Sequence, residues 1–315
     1  MSKANLKPSR GELVKNLDHY RLTQNSQMSE LEFEVLTSVC FDADRVIRIV
    51  SKTALVDVPQ PLKVTLLPHL SLDPSPIPMA TMVGDREAYR ISIPISFIQK
   101  LIAVAPTRDG MQPAVVSDYF CQSALVAVLA AYAHELTHVF IGHLPTKSSI
   151  AQESHADYIG GGLIWRWLRR PDIQKICNVR PQIVESACAF GFLHLLSILN
   201  DTDHDESIYL PRAARLQVYG GAAAFCADQT VGVGYGNLML KAMMGLPACP
   251  DLDFRSAHIE KAYQYLMSQT TEEMIDKTVS ALDKVPEEKR HWYDASVHLK
   301  PIKRFLQRIL KRDSR

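Results

Sequence analysis

His134, Glu135 and His138 are the residues with the clearest chemical meaning, because together they form a His-Glu-x-x-His sequence. Residues four apart on a helix lie on one face, so the two histidines can direct ring nitrogens at one ion. Glu135 is expected to lean toward the open position of that ion, where it can take a proton from a zinc-bound water. The spacing therefore predicts a zinc site on a helix, with Glu135 as the general base.

A second group of polar residues follows at a short distance and contains Glu153 and Asp157. We predict a second helix from about residue 149, and two helices joined by a short connection pack antiparallel to each other. A carboxylate near the start of the second helix can then approach a histidine near the end of the first. We therefore predict Glu153 as the third zinc ligand. Asp157, one turn later, is predicted to accept the far N–H of a ligating histidine.

His143 and His155 are the competing candidates for the third ligand. His143 lies five residues after His138, a step of about 500° around a helix, and would therefore face away from the ion. His155 points about 200° away from Glu153 on the same helix, so the two side chains cannot face one ion together. A plainer interpretation is that all these residues lie on polar helix faces by coincidence and bind no metal. Against it, the first helix is apolar, and burying polar groups without partners is costly.

Hydrophobic patterning indicates the elements that must position these residues. Period-two alternation over residues 89–97 predicts a half-buried strand, and Pro94 in it favours a sheet edge. Glycines at 160–162 are predicted to let the second helix approach the first closely. The expected fold class is α+β and mostly helical, with a small sheet whose edge lines the cleft beside the zinc helix. Helices are predicted over 29–52, 117–143, 149–170, 181–200 and 211–226, and a further strand over 62–67.

The composition, 47% hydrophobic and 22% charged over 315 residues, is typical of a globular protein. We predict one domain over 1–315, with N-terminal helices and the small sheet in 1–110, the helical zinc-site core in 111–247, and C-terminal helices in 248–315. Residues 1–21 contain no apolar core of a secretory signal, and the six cysteines form no Cys-x-x-Cys pair. These features predict a cytoplasmic protein.

Two segments raise the question of partners. The apolar run at 123–133 ends after about eleven residues, where a membrane span needs about twenty, so we predict a buried core helix and no span. Residues 289–315 carry nine lysines and arginines against two aspartates, although the whole chain has a net charge of only +1. We expect a C-terminal amphipathic helix over 301–312 that docks on the core. The alternative is that its basic face binds an anionic partner.

A resemblance to a known family follows from the order of these motifs. The chain has His-Glu-Leu-Thr-His-Val at 134–139, then His143 and Pro145, then Glu-Ser-His-Ala-Asp at 153–157. This order resembles the gluzincin metallopeptidases, and within them the small cytoplasmic phage-exclusion peptidases of the Lit family. A weaker similarity is Pro-Arg-Ala-Ala-Arg at 211–215. The resemblance covers about residues 130–214. It implies two histidines and a glutamate as zinc ligands, endopeptidase activity on an intracellular protein, and a role in phage exclusion.

The chain departs from that family at two positions. His155 stands where relatives often carry a second acid. Leu210 stands where the family usually has a histidine that assists the transition state. Three residues are candidates for that stabilising role in this chain: Tyr209, His204 and Arg215.

The sequence thus predicts a zinc-dependent endopeptidase that hydrolyses peptide bonds in an intracellular protein substrate. One alternative is a catalytically idle, zinc-stabilised protein-binding module, which would fill the fourth coordination position. Glu135 disfavours it, because a structural site needs no base. Another alternative is a toxin-like protease effector that acts in another cell. The lack of a recognisable secretion signal disfavours this second alternative.

Overall fold

The structure is a computed structural model that describes residues 10–23, 28–54, 62–68, 77–83, 88–107, 110–113, 118–141, 143, 150–199, 208–210, 212–244 and 246. The predicted C-terminal helices and the basic segment 301–312 lie outside the described residues. The division of the chain into 1–110, 111–247 and 248–315 therefore stays a prediction.

The described residues form an α+β fold that is mostly helical and has a small three-stranded sheet, which confirms this coarser part of the predicted fold class. The helices are α1 (Arg10–Thr23), α2 (Glu30–Ala54), α3 (Ile95–Ala103), α4 (Asp118–Ile141), α5 (Ile150–Leu168), α6 (Pro171–Cys177), α7 (Val184–Ser197), α8 (Arg212–Thr230) and α9 (Gly236–Met244). The strands are β1 (Leu62–Leu67), β2 (Met79–Val83), β3 (Ala88–Pro94), β4 (Val104–Thr107) and β5 (Gly110–Pro113).

Helix α4 lies at the centre of the core. It packs against α5 and α7 and also contacts α2. Every residue from Ala124 to Ala133 is buried, which explains why its apolar residues surround the helix instead of forming one stripe. Among the described residues, the segment Gln122–Phe140 is the one helix long and apolar enough to cross a membrane, and 89% of it is buried inside the fold. This burial is consistent with the predicted core helix.

The larger sheet has three strands in the order β1-β3-β2. Strand β1 is parallel to β3, and β2 is antiparallel to it. The prediction that residues 89–97 form an edge strand was wrong, because β3 is the central strand and ends at Pro94. A proline can stand at that strand end, and the alternating residues beyond it, from Ile95, belong to α3. The edge near α4 is β2, a strand that the sequence patterning did not predict.

Close contacts hold α5 against both α4 and α8. A Cβ atom on Gly160 would lie 3.3 Å from the backbone nitrogen of His134, so this glycine allows the predicted approach to α4. Gly161 allows a close approach to α8, since a Cβ atom there would lie 2.3 Å from the carbonyl oxygen of Tyr219. The glycines therefore let α5 lie between α4, which carries the histidines, and α8, which carries Arg215.

Candidate metal centre

His134 and His138 occupy one face of α4 near its C-terminal end, and both side chains are buried. Their Nε2 atoms lie 3.1 Å apart, and their rings meet edge to face with centroids 4.8 Å apart. The four-residue spacing on a helix produces this convergence. Two imidazole nitrogens at this distance either share one proton or face one ion.

Glu153 completes a group of three side chains, with His134 and His138, that could each give one ligand atom to a metal ion. We call these three residues the donor group. Glu153 places its carboxylate Oε2 3.0 Å from Nε2 of His134 and 3.6 Å from Nε2 of His138. It projects from the first turn of α5 and is 3% exposed. Burial alone would raise the pKa of this carboxyl, but the two histidines hold the pKa well below its usual range. Glu153 is therefore an anionic donor inside the fold.

The donor set fits a zinc ion in both chemistry and size. Two imidazole nitrogens and one carboxylate oxygen are ligands that zinc accepts. Ligand atoms about 2.0–2.1 Å from a tetrahedral zinc lie about 3.3 Å from one another. The three separations of 3.0, 3.1 and 3.6 Å bracket that value. These three side chains form the one such group of His, Cys, Asp or Glu found within the described part of the chain.

Asp157 lies beyond His134 and holds its far ring nitrogen. Its Oδ1 is 2.8 Å from Nδ1 of His134, the contact predicted from the helix spacing. Burial alone would lower the pKa of His134, but hydrogen bonds to Asp157 and Glu153, and their charges, raise it to about 10. Because Asp157 engages Nδ1, the other ring nitrogen is directed at the donor group.

Arg215 on α8 anchors Asp157. Its Nε and Nη2 donate to the two oxygens of Asp157 at 2.7 and 2.8 Å, and both side chains are buried. Burial would raise the pKa of Asp157, but the charge of Arg215 and its hydrogen bonds hold the pKa below its usual range. Arg215, a predicted candidate for transition-state stabiliser, is thus engaged with Asp157.

His138 has a corresponding partner, His143, beyond the end of α4. The two Nδ1 atoms lie 2.9 Å apart, and His143 is 2% exposed. The expectation that His143 faces away from the site was wrong, because it assumed a helix continuing to residue 143. Helix α4 ends at Ile141, and the chain brings the His143 ring back beside His138.

Glu135 lies beside the donor group without belonging to it. Its Oε2 accepts a hydrogen bond of 2.6 Å from the backbone N–H of Ala80 on the edge strand β2. Burial raises the pKa of Glu135 above its ordinary value, although His134, His138 and the Ala80 N–H act in the opposite direction. The structure thus places a carboxylate between the donor group and a sheet edge.

The remaining candidates are placed as follows. The ring of Tyr209 lies against Arg215, with 5.1 Å from the ring centroid to Cζ. Burial and the charge of Glu153 raise the pKa of Tyr209 to about 12, so its hydroxyl keeps its proton at neutral pH. His204 lies outside the described residues. His155 lies outside the donor group, and its buried Nδ1 has no hydrogen-bond partner among the described residues.

Sequence reasoning missed two features of this centre, the Ala80 contact and the partner role of His143. The Ala80 contact involves a backbone N–H, which no residue pattern reveals. The His143 contact had a usable signal, because glycine commonly follows a helix end and the sequence has Gly142 directly before His143.

Comparisons with protein-family models, with curated proteins and with solved structures find no match to this chain. The assignment of a function therefore depends on the chemistry and geometry of this centre.

Proposed function

We propose that this chain is a zinc-dependent endopeptidase that hydrolyses peptide bonds in an intracellular protein substrate. The observation that carries the proposal is the buried group of His134, His138 and Glu153 with a separate carboxylate, Glu135, beside it. This combination of three ligand side chains and a carboxylate outside the ligand group matches what a hydrolytic zinc site requires.

The number of donors favours a catalytic site over a structural one. Structural zinc sites almost always have four protein ligands, whereas catalytic sites have three and keep a position for water or substrate. In the described ranges, no fourth histidine, cysteine or carboxylate joins the group. The idle, zinc-stabilised binding module, our main alternative, would need that fourth donor.

The side chains of the centre have distinct roles in this proposal. A zinc ion held by the three donors would supply a Lewis acid beside Glu135. Glu135 takes a proton from the attacking water while the oxygen of that water bonds to the scissile carbonyl carbon. It then returns that proton to the amine nitrogen as the carbon–nitrogen bond breaks. Tyr209, protonated at neutral pH, is the proposed donor to the oxygen that becomes negative in the transition state.

The position of β2 supports a peptide as the substrate. Since the Ala80 N–H points at Glu135, the outer side of this edge strand faces the centre. An extended peptide can add to such an edge through backbone hydrogen bonds, which would bring its carbonyl groups past Glu135. A role in phage exclusion, and the alternative of a toxin-like effector, concern the identity of the substrate protein. We propose a role in phage exclusion, because residues 130–214 resemble the phage-exclusion peptidases of the Lit family.

The test is the Glu135→Gln variant, because glutamine keeps nearly the same shape but cannot accept the proton. We expect it to retain zinc at the wild-type level and to lose proteolysis of proteins in a cell lysate. The matched control is Glu185→Gln on α7, which changes another buried glutamate away from the centre and should keep activity. Proteolysis by Glu135→Gln within a few-fold of wild type would overturn the assignment of Glu135.

A further inference from the structure

His143 is linked to His138 through the backbone. Its N–H donates to the carbonyl oxygen of His138 at 3.0 Å, five residues back along the chain. This bond has the 6→1 spacing of the Schellman motif, which closes the C-terminal end of a helix. The bond fixes where the chain turns after α4, and it thereby sets the position of the His143 side chain relative to the last helical turn.

The same two residues are linked a second time through their side chains. The Nδ1 atoms of the two rings are 2.9 Å apart, and the ring centroids are 5.0 Å apart. Both rings are buried, with 7% exposure for His138 and 2% for His143. At this distance one Nδ1 carries a proton and donates it to the other, because two bare nitrogens would repel.

The other nitrogen of His138 decides the direction of this hydrogen bond. Nε2 of His138 faces His134 and Glu153, the two other donors of the group. A neutral imidazole carries one proton, so a bare Nε2 that can bind an ion requires the proton on Nδ1. In that tautomer, Nδ1–H of His138 donates and Nδ1 of His143 accepts.

We propose that His143 is a positioning residue that holds His138 in its metal-binding tautomer, as Asp157 does for His134. This inference rests on the proposed zinc site and adds a residue to it. Each ligating histidine then has a dedicated acceptor at Nδ1: a carboxylate from α5 for His134, and an imidazole from beyond the end of α4 for His138. In this proposal His143 is not itself a ligand and affects the ion only through His138.

Zinc affinity of purified protein tests this role, measured by competition with a chelator at one fixed pH. The loss of such a partner typically lowers metal affinity about ten- to a hundredfold, which is the decrease expected for His143→Ala. His143→Asn should recover most of it, because the asparagine Oδ1 takes the place of the accepting Nδ1. His155→Ala is the matched control, since it removes a half-buried histidine whose ring packs against His143 but which lies outside the donor group, and it should bind zinc within about twofold of wild type.

A second measurement keeps the inference falsifiable even if His143→Ala fails to fold. Long-range proton–nitrogen correlation spectra of the zinc-loaded wild-type chain should show the ring proton of His138 on Nδ1. A proton on Nε2 of His138, or equal zinc affinity for His143→Ala and His155→Ala, would overturn the role of His143 while leaving the zinc site in place. A wild-type chain that binds no zinc would instead overturn the proposed function, and this inference with it.

Discussion

At the scale of single residues, the two histidines of α4 use their ring nitrogens in the same way. Each directs Nε2 at the donor group and Nδ1 at a partner outside it, Asp157 for His134 and His143 for His138. The partners differ in charge. Asp157 is a buried anion whose charge is balanced by Arg215, so the loss of either side chain would leave the other charge buried without its partner.

The first prediction compares this buried pair with an exposed one. Asp157→Ala leaves the guanidinium of Arg215 buried without a counter-ion, and it should lower the free energy of unfolding by about 3–5 kcal/mol. Asp172→Ala breaks the exposed pair with Arg170, whose atoms also lie 2.8 Å apart, and should cost less than about 1 kcal/mol. Urea denaturation of the zinc-free proteins measures both. Similar losses in the two variants would show that Asp157 and Arg215 are not a buried pair.

At the scale of elements, the centre is assembled where two packed helices meet a sheet edge. Helix α4 supplies two donors and Glu135, α5 supplies the third donor, and β2 supplies the N–H that holds Glu135. In an antiparallel strand, N–H groups alternate between the paired and the outer side. The Ala80 N–H is therefore on the outer side of β2, and so is that of Met82, two residues later.

This alternation allows a matched pair of proline substitutions. Ala80→Pro removes the N–H that donates a hydrogen bond to Glu135, and it spares the hydrogen bonds between β2 and β3. A hydrogen bond to a charged group contributes about 1.5–3 kcal/mol, so kcat for peptide hydrolysis should fall roughly ten- to a hundredfold. Met82→Pro removes an equivalent outward N–H that does not reach Glu135. It should leave kcat within about threefold, with any effect confined to KM. Equal kcat values for the two variants would contradict the positioning of Glu135 by β2.

At the scale of the whole molecule, the sequence predicts those positions in the centre that are determined by adjacent turns of a helix. The approach of His134 and His138 follows from one helix, and that of Glu153 from two helices joined by a short connection. The Asp157–Arg215 pair joins residues 58 positions apart, and packing decides which helix supplies the cation. The placement of β2 at the sheet edge likewise depends on pairing with β3, which the proline-rich local pattern conceals.

The zinc content of the purified chain tests the central claim most directly. Elemental analysis should find about one zinc per chain in the wild type and in His19→Ala, whose histidine is exposed on α1. His138→Ala and Glu153→Ala should lose most of the metal, because each removes one of three protein ligands. Wild-type zinc content in both of these variants, or no zinc in the wild-type chain, would contradict the account.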